Sequence, residues 1–470
     1  MKALENQSVL VIGLGVSGRA ACRLLRRHGA VVTAVDRADS EVLRDEARLL
    51  RTEGVEVRLG AGDLPERAFQ LAVLSPGVPS RVDWVQEMTR RGVPVVGELE
   101  LGFRYTRCPC VAITGTNGKT TTTELVERFL NQAGGPSMAA GNIGRPLCDV
   151  ADRSAELAFV AIEASSFQLE TIRSFHPVVA VLLNVTPDHL DRYPGMPDYI
   201  RAKARLFMNQ QPADWAIIQH EAMVQLRALG LSVPARVITF SARDCQADLH
   251  LDNDRVVSRL PGLSGTLFDL TRGLLRGPHN AENLMAALGG GFALGFSMTA
   301  VADALKSYRP APHRCERVAE ACGIQFINDS KATNVDAVRQ ALLTVPARAD
   351  GKPNVWLIAG GKDKGFDFGE LGPLLAARVK GAFLLGETRE RIRAAWMPFT
   401  PCTPVNSLLE AVTEAGRQAV CGDVILLSPA CSSFDMFRDY QHRGEMFRQA
   451  AQEWLRQRTC EAEMNRVVSC

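Results

Sequence analysis

The sequence predicts an α/β protein of three domains. Three observations lead there. The chain has 470 residues, too many for one hydrophobic core at roughly 150 residues per domain. Short apolar runs rich in β-branched residues recur along it, in three successive blocks. The runs lead into glycine turns, with helical patterns between them, and that alternation builds parallel sheets covered by helices.

The first block, residues 1–104, starts with a strand at 8–12, a helical stretch at 17–28 closed by Gly29, and a strand at 31–35. Strand, helix and strand within about 30 residues make one βαβ unit. A further run at 69–74 ends in the turn Ser75-Pro76-Gly77. The second block, 105–310, holds apolar runs at 111–113, 157–162 and 178–183; the last two are near-continuous, as strands buried on both faces require. A helix is expected at 120–132, with Leu125, Val126, Phe129 and Leu130 on one face and Gly134 as its stop. The third block, 311–470, follows the proline-rich hinge Arg309-Pro310-Ala311-Pro312 and carries runs at 324–327, 355–359, 382–385 and 424–427.

Composition narrows the function. With 46% hydrophobic and 23% charged residues and a net charge of +2, the chain gives no case for a nucleic-acid or acidic-membrane partner. No apolar stretch approaches the roughly 20 residues of a membrane span, and the N-terminus lacks the apolar region of a signal peptide. The twelve cysteines form no CxxC pair. They read as reduced thiols, most of them buried, and place the protein in the cytoplasm without a structural zinc.

In open α/β sheets ligands collect beyond the carboxyl ends of the strands, and the loops there are chemically loaded. Thr114-Gly115-Thr116-Asn117-Gly118-Lys119-Thr120-Thr121-Thr122 lies between a strand and a helix. Glycines let backbone N–H groups converge on phosphate oxygens, the helix N-terminus favours negative charge, Lys119 adds a cation, and a following threonine can bind Mg²⁺. The full P-loop pattern has a glycine five positions before Gly118; Ile113 stands there, so this is a variant P-loop. Gly13-x-Gly15-x-x-Gly18 follows the first strand, and Asp36 ends the second. That geometry accepts a dinucleotide or any other diphosphate, and it also serves plain close packing. Glu163, ending a strand in Glu163-Ala164-Ser165-Ser166-Phe167-Gln168-Leu169-Glu170, is either a solvated cap or a ligand to the Mg²⁺ of a nucleotide on the P-loop. His189, in Asn184-Val185-Thr186-Pro187-Asp188-His189-Leu190-Asp191-Arg192-Tyr193, either makes ordinary hydrogen bonds or ligates a metal. Lys203, on a helical stretch, reads as an ordinary surface lysine. In the third block His313-Arg314, Asn328-Asp329-Ser330-Lys331-Ala332-Thr333-Asn334, Gly360-Gly361-Lys362-Asp363-Lys364-Gly365 and Ser428-Pro429-Ala430-Cys431-Ser432-Ser433-Phe434-Asp435 supply cations and hydroxyls for a small dianion, and a carboxylate for a ribose.

With these motifs in this order, essentially the whole chain resembles the Mur ligases. The resemblance implies an N-terminal Rossmann-like UDP-binding domain, a central P-loop ATPase-type α/β domain and a Rossmann-like C-terminal domain. Within the family the motifs fit the member that uses ATP and Mg²⁺ to join D-glutamate to UDP-N-acetylmuramoyl-L-alanine through an acyl phosphate, in peptidoglycan precursor synthesis. By position it implies Gly115, Thr116, Asn117, Gly118, Lys119, Thr120 and Thr121 around the phosphates, with Thr120 and Glu163 on one Mg²⁺. His189 and Lys203, the latter as a carbamate, would hold a second. Asn283 and Arg314 would contact adenine, Asp329 the ribose, and Lys331 would lie near the phosphates. Val16, Ser17, Asp36, Arg37, Ser75 and Asn142, with His189, would hold the UDP-muramoyl part, and Thr333, Lys364, Ser433 and Tyr440 the D-glutamate. A monomer is expected, whose domains rotate to close on three substrates.

Departures exist. Where the family often has Asp-Thr-Arg, this chain has Asp36-Arg37-Ala38, and Lys362 is an extra cation beside Lys364. The tail from 458 to 470 matches no familiar pattern. Two rivals frame the tests: the L-alanine-adding Mur ligase, and a nicotinamide-dependent oxidoreductase built on Gly13–Gly18, which would have no use for a P-loop.

Overall fold

Each of the three strand–helix blocks folds into its own sheet. The computed structural model describes residues 4–468 except Asp191, Ala349 and Lys364; of Arg272 and of residues 459–468 only the backbone is described. The first sheet contains β1 (Ser8–Ile12), β2 (Val31–Val35), β3 (Glu56–Arg58), β4 (Leu71–Leu74) and β5 (Val95–Gly97). Its order is β3-β2-β1-β4-β5 with every pair parallel. The order reverses between β1 and β4, so the Gly13–Gly18 loop and Ser75 flank the crevice where such sheets bind ligands.

The second sheet holds β6 (Cys110–Thr114), β7 (Ser137–Gly141), β8 (Phe159–Glu163), β9 (Val179–Leu182), β10 (Trp215–Gln219), β11 (Arg236–Ser241), β12 (Leu249–Asp252), β13 (Arg255–Ser258) and β14 (Gly265–Asp269). Its order is β14-β13-β12-β11-β10-β9-β6-β8-β7, parallel except for the antiparallel edge formed by β13 and β14. Strand β6 lies between β8 and β9, which sets the loops after all three side by side. The expected helix at 120–132 is α-helical over Lys119–Phe129 and ends in a π-helical turn, Leu130–Gly134. Strands β10–β14 lie where the sequence reading identifies none. The β12–β14 edge is half-exposed and charged, without the continuous apolar runs that mark β8 and β9.

The third sheet contains β15 (Glu316–Ala321), β16 (Ile324–Asn328), β17 (Val355–Gly360), β18 (Val379–Leu385), β19 (Cys402–Pro404) and β20 (Val424–Leu427). Its order is β15-β16-β20-β17-β18-β19, with only β15 antiparallel. Asn328 and Ile358 both register against Leu427, so three motif loops leave one edge together. A final helix, Tyr440–Val468, runs through the tail that matched no pattern.

The chain forms two compact units: one contains the first two sheets, the other the third sheet with residues 186–196 and 275–279. The proline-rich stretch 309–312 opens the last segment of the second unit, and the first two blocks share one unit. On the helix Glu98–Tyr105 both Glu98 and Glu100 are fully buried. Glu100 accepts the backbone N–H groups of Arg173, Ser174 and Phe175 at 2.8–3.0 Å, the Ser174 hydroxyl at 2.6 Å and Arg104 Nε at 3.0 Å. Ser80 donates to Glu170 at 2.7 Å and Arg27 to Asp152 at 2.7 Å across the same boundary. Of the ten described cysteines only Cys22, Cys110, Cys148 and Cys431 are buried, fewer than expected, and none of the ten is in a disulfide. Among the described residues no helix is long and apolar enough to cross a membrane.

Glu98 contrasts with Glu100. Its Oε1 accepts Cys148 N–H at 2.7 Å, while Oε2 is buried without a hydrogen-bond partner. Burial pushes its carboxyl up from 4.5 to about 7 against the pull of that N–H. A folded-state value above the unfolded one means a contribution fully present below about pH 4.5 and lost as pH rises through about 7. Glu98→Gln keeps the shape and removes the charge. It is expected to stabilise the protein at pH 8 by up to about 3 kcal/mol and to give little or no gain at pH 4, in denaturant titrations at both. Equal gains at the two pH values would contradict this assignment.

Candidate active site

The second sheet builds a phosphate cradle from its own backbone. Gly115 has φ 156° and Gly118 φ 84°, conformations that side-chain-bearing residues rarely adopt. A β-carbon on Gly118 would sit 2.3 Å from Asn283 Oδ1, so the loop turns tightly over the helix Pro278–Ala293. Asn184, after β9, clamps the loop: it accepts Asn117 N–H at 2.8 Å and donates to Asn117 O at 3.1 Å, while its own carbonyl accepts Thr116 N–H at 2.8 Å. Lys119 donates to Gly115 O at 3.0 Å and Thr116 O at 2.8 Å. Thr120 and Thr121 stand in the first helical turn with it. Asn283, expected at adenine, is buried and accepts the Thr122 hydroxyl at 3.2 Å, so it also anchors the helix that follows the cradle.

Glu163 registers beside Ile113, one strand from the cradle. It is 2% exposed. Its Oε1 accepts Asn142 Nδ2 at 2.7 Å, and its Oε2 is buried with no hydrogen-bond partner. A buried carboxylate oxygen that receives no donor fits a cation. Among the described residues no three His, Cys, Asp or Glu side chains gather as a metal cage. A cation on Glu163 and Thr120 would therefore take its other ligands from phosphate and water, as Mg²⁺ commonly does. Lys203 corrects the sequence reading. It is 1% exposed rather than on the surface, donates to Gly115 O at 2.8 Å and lies 4.5 Å from the Tyr199 ring centroid. Tyr199 in turn meets the Thr116 hydroxyl at 3.3 Å.

The first sheet offers a second cradle. Gly18 allows helix and loop to touch, since a β-carbon there would lie 1.8 Å from Gly13 O; at Gly15 only Ser75 Oγ would be near, at 3.7 Å. That leaves Gly15 open to a diphosphate, with Val16 exposed, Ser17 half-buried and Ser75 buried around it. Both Asp36 oxygens accept backbone N–H groups, from Leu14 at 2.7 Å and Ala38 at 2.9 Å, so Asp36 fixes the loop. Arg37 lies 4.7 Å over the Trp84 ring. Asn142, expected at the UDP-muramoyl part, has its side-chain amide on Glu163.

In the other unit His189 adopts φ 55° and its N–H donates to Asp188 Oδ1 at 2.8 Å; Asp188 Oδ2 accepts Asn334 Nδ2 at 3.3 Å. Asp329 accepts Cys315 N–H at 3.1 Å and the Ser428 hydroxyl at 3.0 Å. Burial pushes its carboxyl up to about 7 against those donors. Lys331, expected near phosphates, lies 4.0 Å over the Tyr440 ring, which joins it to the Tyr440 group. Ser433 is buried, and Thr333 and Arg314 are half-buried. Lys364 lies outside the described residues.

A model of the Mur ligase middle domain matches residues 113–290, one of the Mur ligase glutamate ligase domain 313–431, and one of the MurD-like N-terminal domain 7–97. The UDP-N-acetylmuramoylalanine–D-glutamate ligase of Acidobacterium capsulatum is 40% identical over 449 residues, 95% of this chain and 96% of that one. The chain belongs to the Mur ligase family. The enzyme of the same name from Pelotomaculum thermopropionicum is 40% identical over 453 residues, 96% of this chain and 98% of its own. Among solved structures, MurF ligase from Thermotoga maritima in complex with ADP superposes with a TM-score of 0.62 at 15% identity, covering 97% of this chain and 100% of that one.

In this Mur ligase the residues that sequence reasoning missed are those that hold the loops. Arg443 is 1% exposed and donates to Ser330 Oγ at 3.0 Å, Ser330 O at 2.8 Å and Cys431 O at 3.1 Å. One planar fork thus ties the Asp329–Asn334 loop to the Ser428–Ser433 loop, although burial pushes the guanidinium down to about 10. In the sequence Arg443 is one of several arginines on a helix, and nothing there marks it. Asn184 was within reach, since it opens a quoted motif; Tyr199 stands on the helix of Lys203 without a mark in the sequence.

Proposed function

We propose that this Mur ligase joins D-glutamate to UDP-N-acetylmuramoyl-L-alanine in the cytoplasm, using ATP and Mg²⁺. The observation that carries the chemistry is the buried Glu163 carboxylate, set beside the P-loop strand with one oxygen bare. The choice of D-glutamate is supported by the relatives' names and by near-complete coverage in both directions. Glycoside diphosphate would lie against Gly15 and Ser75, triphosphate against the 115–118 loop, and the amino acid near Thr333, Lys364, Ser433 and Tyr440. Glu163 and Thr120 would hold one Mg²⁺, and Lys203 as a carbamate would be a ligand to a second. When bound, Mg²⁺ neutralises phosphate charge.

The reaction opposes like charges. A substrate carboxylate must approach the γ-phosphorus, a repulsion of about 4 kcal/mol for unit charges 4 Å apart at an effective dielectric of about 20. Lys119 and the loop N–H groups lower it and stabilise the transferred phosphoryl group. The carboxylate oxygen forms the O–P bond as ADP leaves. The D-glutamate amine then attacks the acyl carbon, loses a proton, and phosphate departs.

The test is phosphate release with ATP and UDP-N-acetylmuramoyl-L-alanine, offering D-Glu, L-Glu, L-Ala and meso-diaminopimelate in turn. Release with D-Glu alone is expected. Release with L-Ala on UDP-N-acetylmuramate instead would install the alanine-adding reading, and NADH binding without nucleotide-dependent release would install the oxidoreductase.

A further inference from the structure

The carboxylate of Glu163 is aimed as well as buried, and the residue that aims it comes from the neighbouring strand. Strands β7 and β8 run parallel, with Gly141 registered against Glu163 at their carboxyl ends. A β-carbon on Gly141, whose φ is 94°, would lie 2.2 Å from Glu163 O, so only glycine lets the two strand ends approach this closely. The approach lets Asn142 grip Glu163 twice: its N–H donates to Glu163 O at 2.8 Å and its side-chain Nδ2 to Oε1 at 2.7 Å. The second grip engages one carboxylate oxygen and leaves Oε2, buried and without a donor.

The chemical type of the donor matters. A lysine or arginine at position 142 would bond the same oxygen but cancel the charge a cation needs. A carboxylate there would repel Glu163 and add a competing ligand. A neutral amide orients the carboxylate while leaving its charge intact, which is what groups behind metal ligands commonly do. Asn142 itself is exposed, so its side chain can be removed without opening a core cavity.

We propose that Asn142 is a positioning residue that presents Glu163 Oε2 to the divalent cation. The proposal rests on reading Glu163 as a ligand, and the experiment separates the two. Mn²⁺, a paramagnetic substitute for Mg²⁺, is titrated in the presence of ADP and followed by electron paramagnetic resonance. The proteins are the parent, Asn142→Ala, Glu163→Gln and the double variant. ADP binding in EDTA serves as the metal-free control of folding and of the P-loop. Glu163→Gln is expected to weaken Mn²⁺ binding, and Asn142→Ala to weaken it by about tenfold, the lower end for losing a group behind a ligand, with metal-free ADP binding unchanged in both. The double variant is expected to bind no more weakly than Glu163→Gln, because Asn142 acts through that side chain.

Parent-like Mn²⁺ affinity in Asn142→Ala beside a weakened Glu163→Gln would overturn the positioning role and leave the Glu163 assignment standing. Parent-like affinity in Glu163→Gln would overturn both. A double variant weaker than either single one by the product of their effects would show Asn142 acting independently, and would also overturn the proposal.

Discussion

Lys119→Ala is expected to lower ADP-forming turnover at least about 10²-fold, the order seen on losing one electrostatic stabiliser. The ammonium donates to Gly115 O at 3.0 Å and Thr116 O at 2.8 Å, so the cation is held at the mouth of the loop whose N–H groups would receive phosphate. Those N–H groups are dipoles fixed by the backbone and remain when the side chain is cut. The full charge does not. The loss should therefore fall on kcat more than on ADP affinity, because charge builds on the phosphoryl oxygens as the group transfers. Arginine is not expected to restore the rate, since a planar fork cannot replace a compact point charge at that position. Stopped-time phosphate assays and ADP titration of the same variant check both halves. Turnover within a few-fold of the parent would remove the P-loop assignment.

The P-loop was legible because its chemistry fixes residue types at fixed spacing along the chain, and the strand before it is a plain apolar run. Glu163 stood open between a solvated cap and a metal ligand in the sequence, where only the neighbouring P-loop favoured the ligand; its burial comes from the fold. Lys203 was misread because burial is a tertiary fact. Arg201 shares its helix and Arg205 directly follows it, and sequence alone cannot say which of three cations turns inward. Arg443 and Glu100 were missed on the same ground, as charged residues on helices whose partners lie 113 and 74 positions away. Asn142 shows the converse. A residue placed by resemblance at the substrate has its amide on a carboxylate one strand away, a relation set by the register of β7 and β8. What the sequence reveals is the chemistry that sits on loops; what it hides is the machinery that holds those loops still.

Glu100→Ala is expected to cost the unit containing the first two sheets about 3–5 kcal/mol, the range for removing one partner of a buried charged cluster. The carboxylate gathers the backbone N–H groups of three consecutive residues, Arg173, Ser174 and Phe175, together with the Ser174 hydroxyl. Alanine leaves those donors buried, and water enters only where packing allows. Unsatisfied N–H groups cost about 1–3 kcal/mol each, so even partial hydration leaves a large penalty. Burial alone would push this carboxyl up, but the donors from Arg173 and Ser174, with Arg104, outweigh it and hold the carboxyl below its ordinary 4.5. A folded-state value below the unfolded one contributes stability above about pH 4.5, lost as pH falls through the depressed value. The gap between the parent and Glu100→Ala, read from denaturant midpoints, should therefore be widest near neutrality and shrink as acid protonates this carboxylate. Glu98→Gln runs the other way, gaining at high pH, so the two neighbouring acids can be told apart in one pH series. A Glu100→Ala variant that unfolds with the parent at pH 7 would mean that the segment 173–175 finds other partners, and that the first two sheets are held together without this carboxylate.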